Sequence, residues 1–330
     1  MKLFLAYLRL LRPFNLIMIA FTMDMVRFFL FGPLNWWTNF HFVISENTFM
    51  LFTLAFVLVA AAGYIINDYY DVEIDIINKP IKVVIGNLIH RKLALIGSIV
   101  LSICGIIAGF WSSINAGVPL LGLLFIFYAL GLWLYSYKLK STFLIGNLLI
   151  AIFLGLVPLA AAYIELQADL KSPDFINSTI GIIPYRIGAW TISGFAFLST
   201  LIREIVKDME DMEGDRIADC HTMPIVLGIK KVRIVVLLLL LIMLGLLSIF
   251  QQHNWEQGWH ISFYYVLIAI QLPCLIVAWL IIKSTQQKEF HRISIWLKIV
   301  MLTGICYLFV FAYEAYSAQQ HIIDYIHPTS

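Results

Sequence analysis

Residues 58–75 read LVAAAGYIINDYYDVEID, an apolar run that ends in three aspartates, Asp68, Asp71 and Asp75. The same spacing returns in 199–216, STLIREIVKDMEDMEGDR, as Asp208, Asp211 and Asp215. Positions i, i+3 and i+7 of an α-helix lie on one side, spread over roughly 60° of the wheel at about 100° per residue. Each triplet is therefore one stripe of carboxylates at the end of an oily helix. Acids are otherwise scarce, since 11 of the 20 Asp and Glu fall within 67–79 and 203–219. Such crowding in a membrane protein is costly unless a cation neutralises it.

The rest of the chain supports a membrane setting. It is 61% hydrophobic and 13% charged, where soluble domains carry about 25% charged residues. Nine apolar stretches approach or exceed the length that spans a bilayer, about 20 residues. They are 14–31, 49–66, 93–113, 118–137, 143–164, 180–202, 232–250, 261–282 and 295–316. Nine spans leave no room for a separate soluble domain. The expected organisation is an all-α polytopic membrane protein, a single domain over 1–330, with nine transmembrane helices around a central cavity. Adding 140 to each position of the first triplet gives the second, which suggests two motif-bearing halves, about 1–164 and 165–330.

Lys and Arg favour cytoplasmic connections. Alternate connections here hold 19 of the 22, and only Arg27, Lys171 and Arg186 fall elsewhere. This places the N-terminus inside and the C-terminus outside, and brings both acidic stripes out on the cytoplasmic side. The first apolar stretch carries Asp24 and Arg27 with no small-residue cleavage pattern behind it, so it reads as a retained helix. Asp24 and Arg27, three apart, read as an intrahelical salt bridge. The four cysteines (Cys104, Cys220, Cys274, Cys306) are scattered without a C-x-x-C pair, which argues against a disulfide framework or a zinc site. The net charge of +2 says nothing about partners, and no nucleic acid is expected.

Two carboxylate stripes on one face make an oxygen-rich setting for a hard divalent cation. Mg²⁺ prefers a few carboxylates together with waters and substrate phosphates. A diphosphate with Mg²⁺ shared between the stripes resolves the charge crowding. One such triplet alone reads equally well as a solvated helix end; two copies with the same spacing and the same predicted membrane face favour the metal.

The residues around the triplets carry a resemblance. The first motif reads Asn67-Asp68-Tyr69-Tyr70-Asp71 and runs on to Asp75 and Lys79-Pro80. The second, Lys207 to Arg216, continues through Thr222-Met223-Pro224 to Gly228. Tyr135-Ser136, Leu139-Lys140 and Gly146-Asn147 form a third element, and Arg12-Pro13 with Asn15 a fourth. Together these resemble the UbiA superfamily of intramembrane prenyltransferases over nearly the whole chain. The first motif looks most like the digeranylgeranylglyceryl phosphate synthase branch. The stretch after Pro80, Ile81-Lys82-Val83-Val84-Ile85-Gly86, departs from the more polar sequence common there.

The resemblance implies a UbiA-type bundle in a prokaryotic inner membrane and a Mg²⁺-dependent transfer from an allylic prenyl diphosphate to a lipophilic acceptor. The metal set it implies is Asn67, Asp68, Asp71, Asp75, Asp208, Asp211 and Asp215, with Asp68, Asp71, Asp208 and Asp211 the catalytic core. Substrate would be held by Asn15, Asn67, Lys79, Tyr135, Lys140, Asn147, Arg203 and Lys207. Bland alternatives stand beside several of these. Asp75 serves equally to orient Lys79, Arg203 to pair with a motif carboxylate, Tyr135 to sit in an interfacial belt, and Asn15 to glue helices. The acceptor is a glycerol phosphate lipid such as geranylgeranylglyceryl phosphate, or an aromatic quinone precursor or other isoprenoid acceptor. A CDP-alcohol phosphotransferase uses one acidic motif in one helix pair rather than two copies. A cation-coupled transporter would place its acids mid-membrane near helix breaks.

Overall fold

A computed structural model describes residues 2–33, 42, 44–78, 83–169, 179–284 and 286–326. Its helices in chain order are α1 (Lys2–Leu11), α2 (Pro13–Met25), α3 (Glu46–Asn78), α4 (Arg91–Asn115), α5 (Leu123–Tyr137), α6 (Ile145–Asp169) and α7 (Thr179–Ile217). Then follow α8 (Met223–Leu227), α9 (Ile229–Glu256), α10 (His260–Tyr265), α11 (Leu272–Lys283) and α12 (Gln287–Ile326). No strand forms among the described residues beyond an isolated bridge between Ile85 and Ile89.

Nine helices among the described residues are long and apolar enough to cross a bilayer, and each overlaps one expected stretch. The lipid-facing side is plain on α4, where Ile96, Ile99, Ile103, Ile107, Trp111 and Ile114 are exposed at helical spacing. In water this stripe would be an aggregation face; in a bilayer it meets acyl chains. Two of the spans contain π-helical turns. π-turns over Val26–Phe31 and Val266–Gln271 widen the continuations of α2 and α10.

Local chemistry explains the ends. Ser45 Oγ accepts from the Thr48 N–H at 3.3 Å and starts α3. His90 does the same for α4 through Nδ1 and the Lys92 N–H, 3.3 Å apart. Gly117, at φ +73°, ends α4 in the left-handed conformation, and Pro119 follows where the helix cannot resume. The motif helices run further than the apolar stretches indicate. α3 has 33 residues, and at about 1.5 Å per residue it is roughly 50 Å long, against a hydrocarbon core of about 30 Å. The first triplet is helical throughout, as is the second in α7. The one-sided stripes expected from spacing are therefore real.

The chain forms two compact units, neither continuous in sequence. The first comprises Met1–Phe21, Ile44–Phe153 and Lys207–Val232. Its core includes an aromatic group in which Phe52, Phe56 and Phe125 meet edge to face and Tyr128 stacks on Phe153 at 4.4 Å. Ser98 Oγ donates to the Ala62 carbonyl at 2.9 Å and ties α4 to α3. The short α1 packs Ala6 and Leu10 against Ile65 of α3 and the loop residues Val84, Ile85 and Ile89.

The second unit comprises Thr22–Val43, Leu154–Val206 and Arg233–Ser330. Here Arg27 is buried at 1% exposure, with Nε 3.0 Å from a Glu165 carboxylate that is itself 1% exposed. The pairing of Arg27 across to Glu165, rather than with Asp24 alone, is invisible to local spacing. Glu314 of α12 accepts from the N–H groups of Ile261 and Ser262 at 2.9 and 3.1 Å and so caps α10.

Candidate active site

Both acidic stripes, and most of the residues expected beside them, fall in the first unit. In α3, Asp71 takes the Lys140 ammonium on Oδ1 and the Asn67 amide on Oδ2, the latter at 2.6 Å. One turn back, Asp68 Oδ1 takes the Arg12 guanidinium at 2.5 Å. In α7, Asp208 Oδ2 accepts from Asn147 at 2.7 Å. The Thr222 hydroxyl, at the start of α8, reaches Asp215 Oδ2 at 3.4 Å.

The stripes converge. Lys140 and Asn147 belong to one turn-and-helix segment, and they reach Asp71 of the first stripe and Asp208 of the second. The His221 N–H, just past the second motif, donates to the Ser141 carbonyl at 2.8 Å and closes the same connection. Asp71 lies within electrostatic range of Asp215, and Lys207 within range of both Asp68 and Asp215. Cys220 reports this from outside the spanning segments. Burial pushes its thiol up to about 11; Asp215, Asp71 and Asp208 add to the shift, and Lys140 opposes it. One thiol thus feels carboxylates of both motifs.

Arg12 was not among the residues expected at the site. It joins α1 to α2 in a left-handed conformation, φ +50°, that non-glycine residues seldom adopt. Its guanidinium lies 5.1 Å from the centroid of the Tyr64 ring. Burial works against its charge, but Asp68, Tyr64 and Asp75 outweigh that and hold its pKa above the ordinary value. Backbone strain at a residue gripping a motif carboxylate is typical of a functional position.

The other expected residues are placed as follows. Asn15 is half-buried in the first turn of α2, and Tyr135 half-buried near the end of α5. Arg203 belongs to the second unit, where its Nη1 meets Glu204 at 2.5 Å, so the adjacent residue rather than a triplet carboxylate is its partner. Lys79 lies outside the described residues.

A hard divalent cation fits this donor set. Every acidic donor is a carboxylate oxygen, and the Asn67 Oδ1 atom is buried with no hydrogen bond to satisfy it. Among the described residues, no group of three acidic, His or Cys side chains stands ready to hold a metal alone. Arg12, Lys140, Asn147 and Thr222 each engage one carboxylate of the stripes. Mg²⁺ is commonly held by one or two carboxylates together with substrate phosphates, so this donor set suits a cation that arrives with its own ligands.

The sequence and structure both have known counterparts. A digeranylgeranylglyceryl phosphate synthase of Methanosphaera stadtmanae is 31% identical over 298 residues, covering 90% of this chain and 95% of that protein. Its namesake from Saccharolobus solfataricus is 32% identical, covering 78% and 82%. A structure reported as giving structural and mechanistic insights into the biosynthesis of digeranylgeranylglyceryl phosphate synthase in membranes aligns with a TM-score of 0.59 at 25% identity, over 94% of this chain and 99% of that one. A UbiA homologue from Archaeoglobus fulgidus bound to GPP and Mg²⁺ shares the fold, with a TM-score of 0.56 at 17% identity, over 92% and 99%. The sequence profile of the UbiA prenyltransferase family matches residues 25–302. The chain thus belongs to the UbiA prenyltransferase family and is a prenyltransferase integral to the membrane.

Proposed function

We propose that this prenyltransferase moves a geranylgeranyl group from its allylic diphosphate to geranylgeranylglyceryl phosphate or a closely related glycerol phosphate lipid, and that the whole chain is one catalytic domain. The observation that carries the reading is the meeting of two carboxylate stripes with Arg12 and Lys140 in one unit. That chemistry matches a polyanionic substrate bearing a divalent cation. The relatives named as digeranylgeranylglyceryl phosphate synthases support the acceptor.

Asp68, Asp71, Asp208, Asp211 and Asp215, with Asn67 Oδ1, would hold the metal, and Asp75 sits one turn further along the first stripe. When bound, Mg²⁺ neutralises charge developing on the departing diphosphate as a Lewis acid. Arg12, Lys140 and Lys207 turn to phosphate oxygens as the substrate replaces their carboxylate partners, with Lys79 and Arg203 as further candidates. Lysine serves here as a point charge and arginine as a fork of donors. The allylic C–O bond then breaks with its electron pair leaving on the diphosphate, a bond from the acceptor hydroxyl oxygen to the allylic carbon forms, and the hydroxyl proton passes to the released diphosphate. Positioning the two lipids supplies much of the rate. Apolar walls keep water from quenching the allylic cation. Tyr135 offers a π face for that cation, and Asn15 a polar contact on α2. The charge bias of the connections supports a cytoplasmic site, with the N-terminus inside and the C-terminus outside.

The test is transfer by purified protein from radiolabelled geranylgeranyl diphosphate, with Mg²⁺ and geranylgeranylglyceryl phosphate. A labelled product with two prenyl chains is expected. Product only with an aromatic acceptor such as 4-hydroxybenzoate would overturn the acceptor, and no product with any acceptor would overturn the site.

A further inference from the structure

Gly146 lies in the first turn of α6, one residue before Asn147, and is buried. A Cβ placed on it would stand 2.6 Å from the Leu139 carbonyl oxygen and 3.0 Å from both the Leu139 carbonyl carbon and Lys140 Cα. All three are backbone atoms, so none can swing aside. Gly146 is not among the glycines with positive φ; what its position demands is space.

The turn pressed against it, Leu139–Ser141, is fastened from other directions as well. Thr142 donates to the Leu139 carbonyl from Oγ1 at 2.6 Å and from its N–H at 3.0 Å. Ser141 Oγ donates to the Lys138 carbonyl at 2.7 Å, and the His221 N–H to the Ser141 carbonyl at 2.8 Å. From this turn Lys140 reaches Asp71, and from the helix beneath it Asn147 reaches Asp208.

We propose that Gly146 is a positioning residue whose missing side chain seats the Leu139–Ser141 turn directly on α6. It thereby sets the spacing between the ammonium on the first acidic stripe and the amide on the second. The inference rests on the proposed roles of Lys140 and Asn147 toward diphosphate and its cation. Ordinary contact begins at 3.4 Å, so a methyl group at 2.6 Å displaces the turn by about 0.8 Å (3.4 minus 2.6). A shift near 1 Å in a catalytic constellation can cost about a hundredfold in rate.

The experiment uses the full chain in detergent and titrates inorganic pyrophosphate in the presence of Mg²⁺ by calorimetry, with melting curves alongside. The variants are Gly146→Ala, Lys140→Ala, the double variant, and Gly155→Ala. Gly155 is a tightly packed glycine of the same helix in the second unit, where a Cβ would lie 3.1 Å from Phe197 Cβ. Gly146→Ala should weaken pyrophosphate binding by roughly tenfold or more and lower the melting point while melting stays cooperative, and Gly155→Ala should leave the affinity as it is. In the Lys140→Ala background, adding Gly146→Ala should cost less than about twofold, because coupled residues are not additive. Wild-type affinity in Gly146→Ala, an equal loss in Gly155→Ala, full additivity in the double variant, or loss of cooperative melting in Gly146→Ala would each overturn the positioning role. Wild-type affinity in Lys140→Ala would instead overturn the underlying assignment of Lys140 to diphosphate.

Discussion

Replacing Asp71 by Asn isolates charge from shape at the centre of the site. The carboxylate accepts from Lys140 on Oδ1 and from Asn67 on Oδ2. An amide can keep the first bond through its oxygen. Its NH₂ group would then face the Asn67 NH₂, donor against donor. Asn67 resolves that by flipping, because its own Oδ1 is buried without a hydrogen bond and becomes the new acceptor. The fold should therefore lose little, and melting in detergent should fall by less than about 1 kcal/mol equivalent, within the net worth of one hydrogen bond. Catalysis should lose much more. A unit charge acting over about 4 Å at an effective dielectric near 20 is worth about 4 kcal/mol, which is roughly three decades of rate. Single-turnover transfer of labelled geranylgeranyl diphosphate at saturating Mg²⁺ measures the loss. A variant that keeps more than about a tenth of the rate, or one whose rate falls only as its melting point falls, would refute a direct role for the Asp71 charge.

Other perturbations have distinct outcomes. Asp211→Ala should abolish turnover while the protein stays folded in detergent, as judged by size-exclusion elution. Glu165→Gln strands the buried Arg27 charge; losing one partner of a buried pair costs about 3–5 kcal/mol, so the melting point should drop by roughly 10 °C in a thermal-shift assay. EDTA should stop transfer and added Mg²⁺ restore it, followed by product extraction and thin-layer counting. The Cys220 thiol, held up at about 11 against an ordinary value of 9.0, is protonated below that pH and becomes thiolate only above it. In EDTA its alkylation, mapped by peptide mass, should be about a hundredfold slower at pH 8 than for an ordinary thiol and still be rising at pH 10; a half-maximal rate near pH 9 would mean that neither burial nor the carboxylates act on it.

The stripes were legible because an α-helix converts i, i+3 and i+7 into one face, and both motif helices obey that geometry to their ends. The nine spans were legible because lipid demands long apolar helices. The partners of the stripes were not legible from spacing, and Lys140 and Asn147 entered only through the resemblance. Arg12 meets Asp68 across 56 residues, Lys140 meets Asp71 across 69, and Asn147 meets Asp208 across 61. No periodicity links residues so far apart, and most of the 22 Lys and Arg lie on the same predicted side as the motifs, which makes each an equal candidate by position alone. What separates Arg12 from the others is a backbone conformation, φ +50°, and what fixes Lys140 is a glycine whose absent Cβ lets a turn settle onto α6. Both are properties of packing rather than of composition. The π-turns belong to the same class, since neither Val26–Phe31 nor Val266–Gln271 contains a residue that breaks a helix. A substitution scan confined to the two aspartate triplets would therefore miss Arg12, Lys140, Asn147 and Gly146, which tie the stripes to the rest of the first unit.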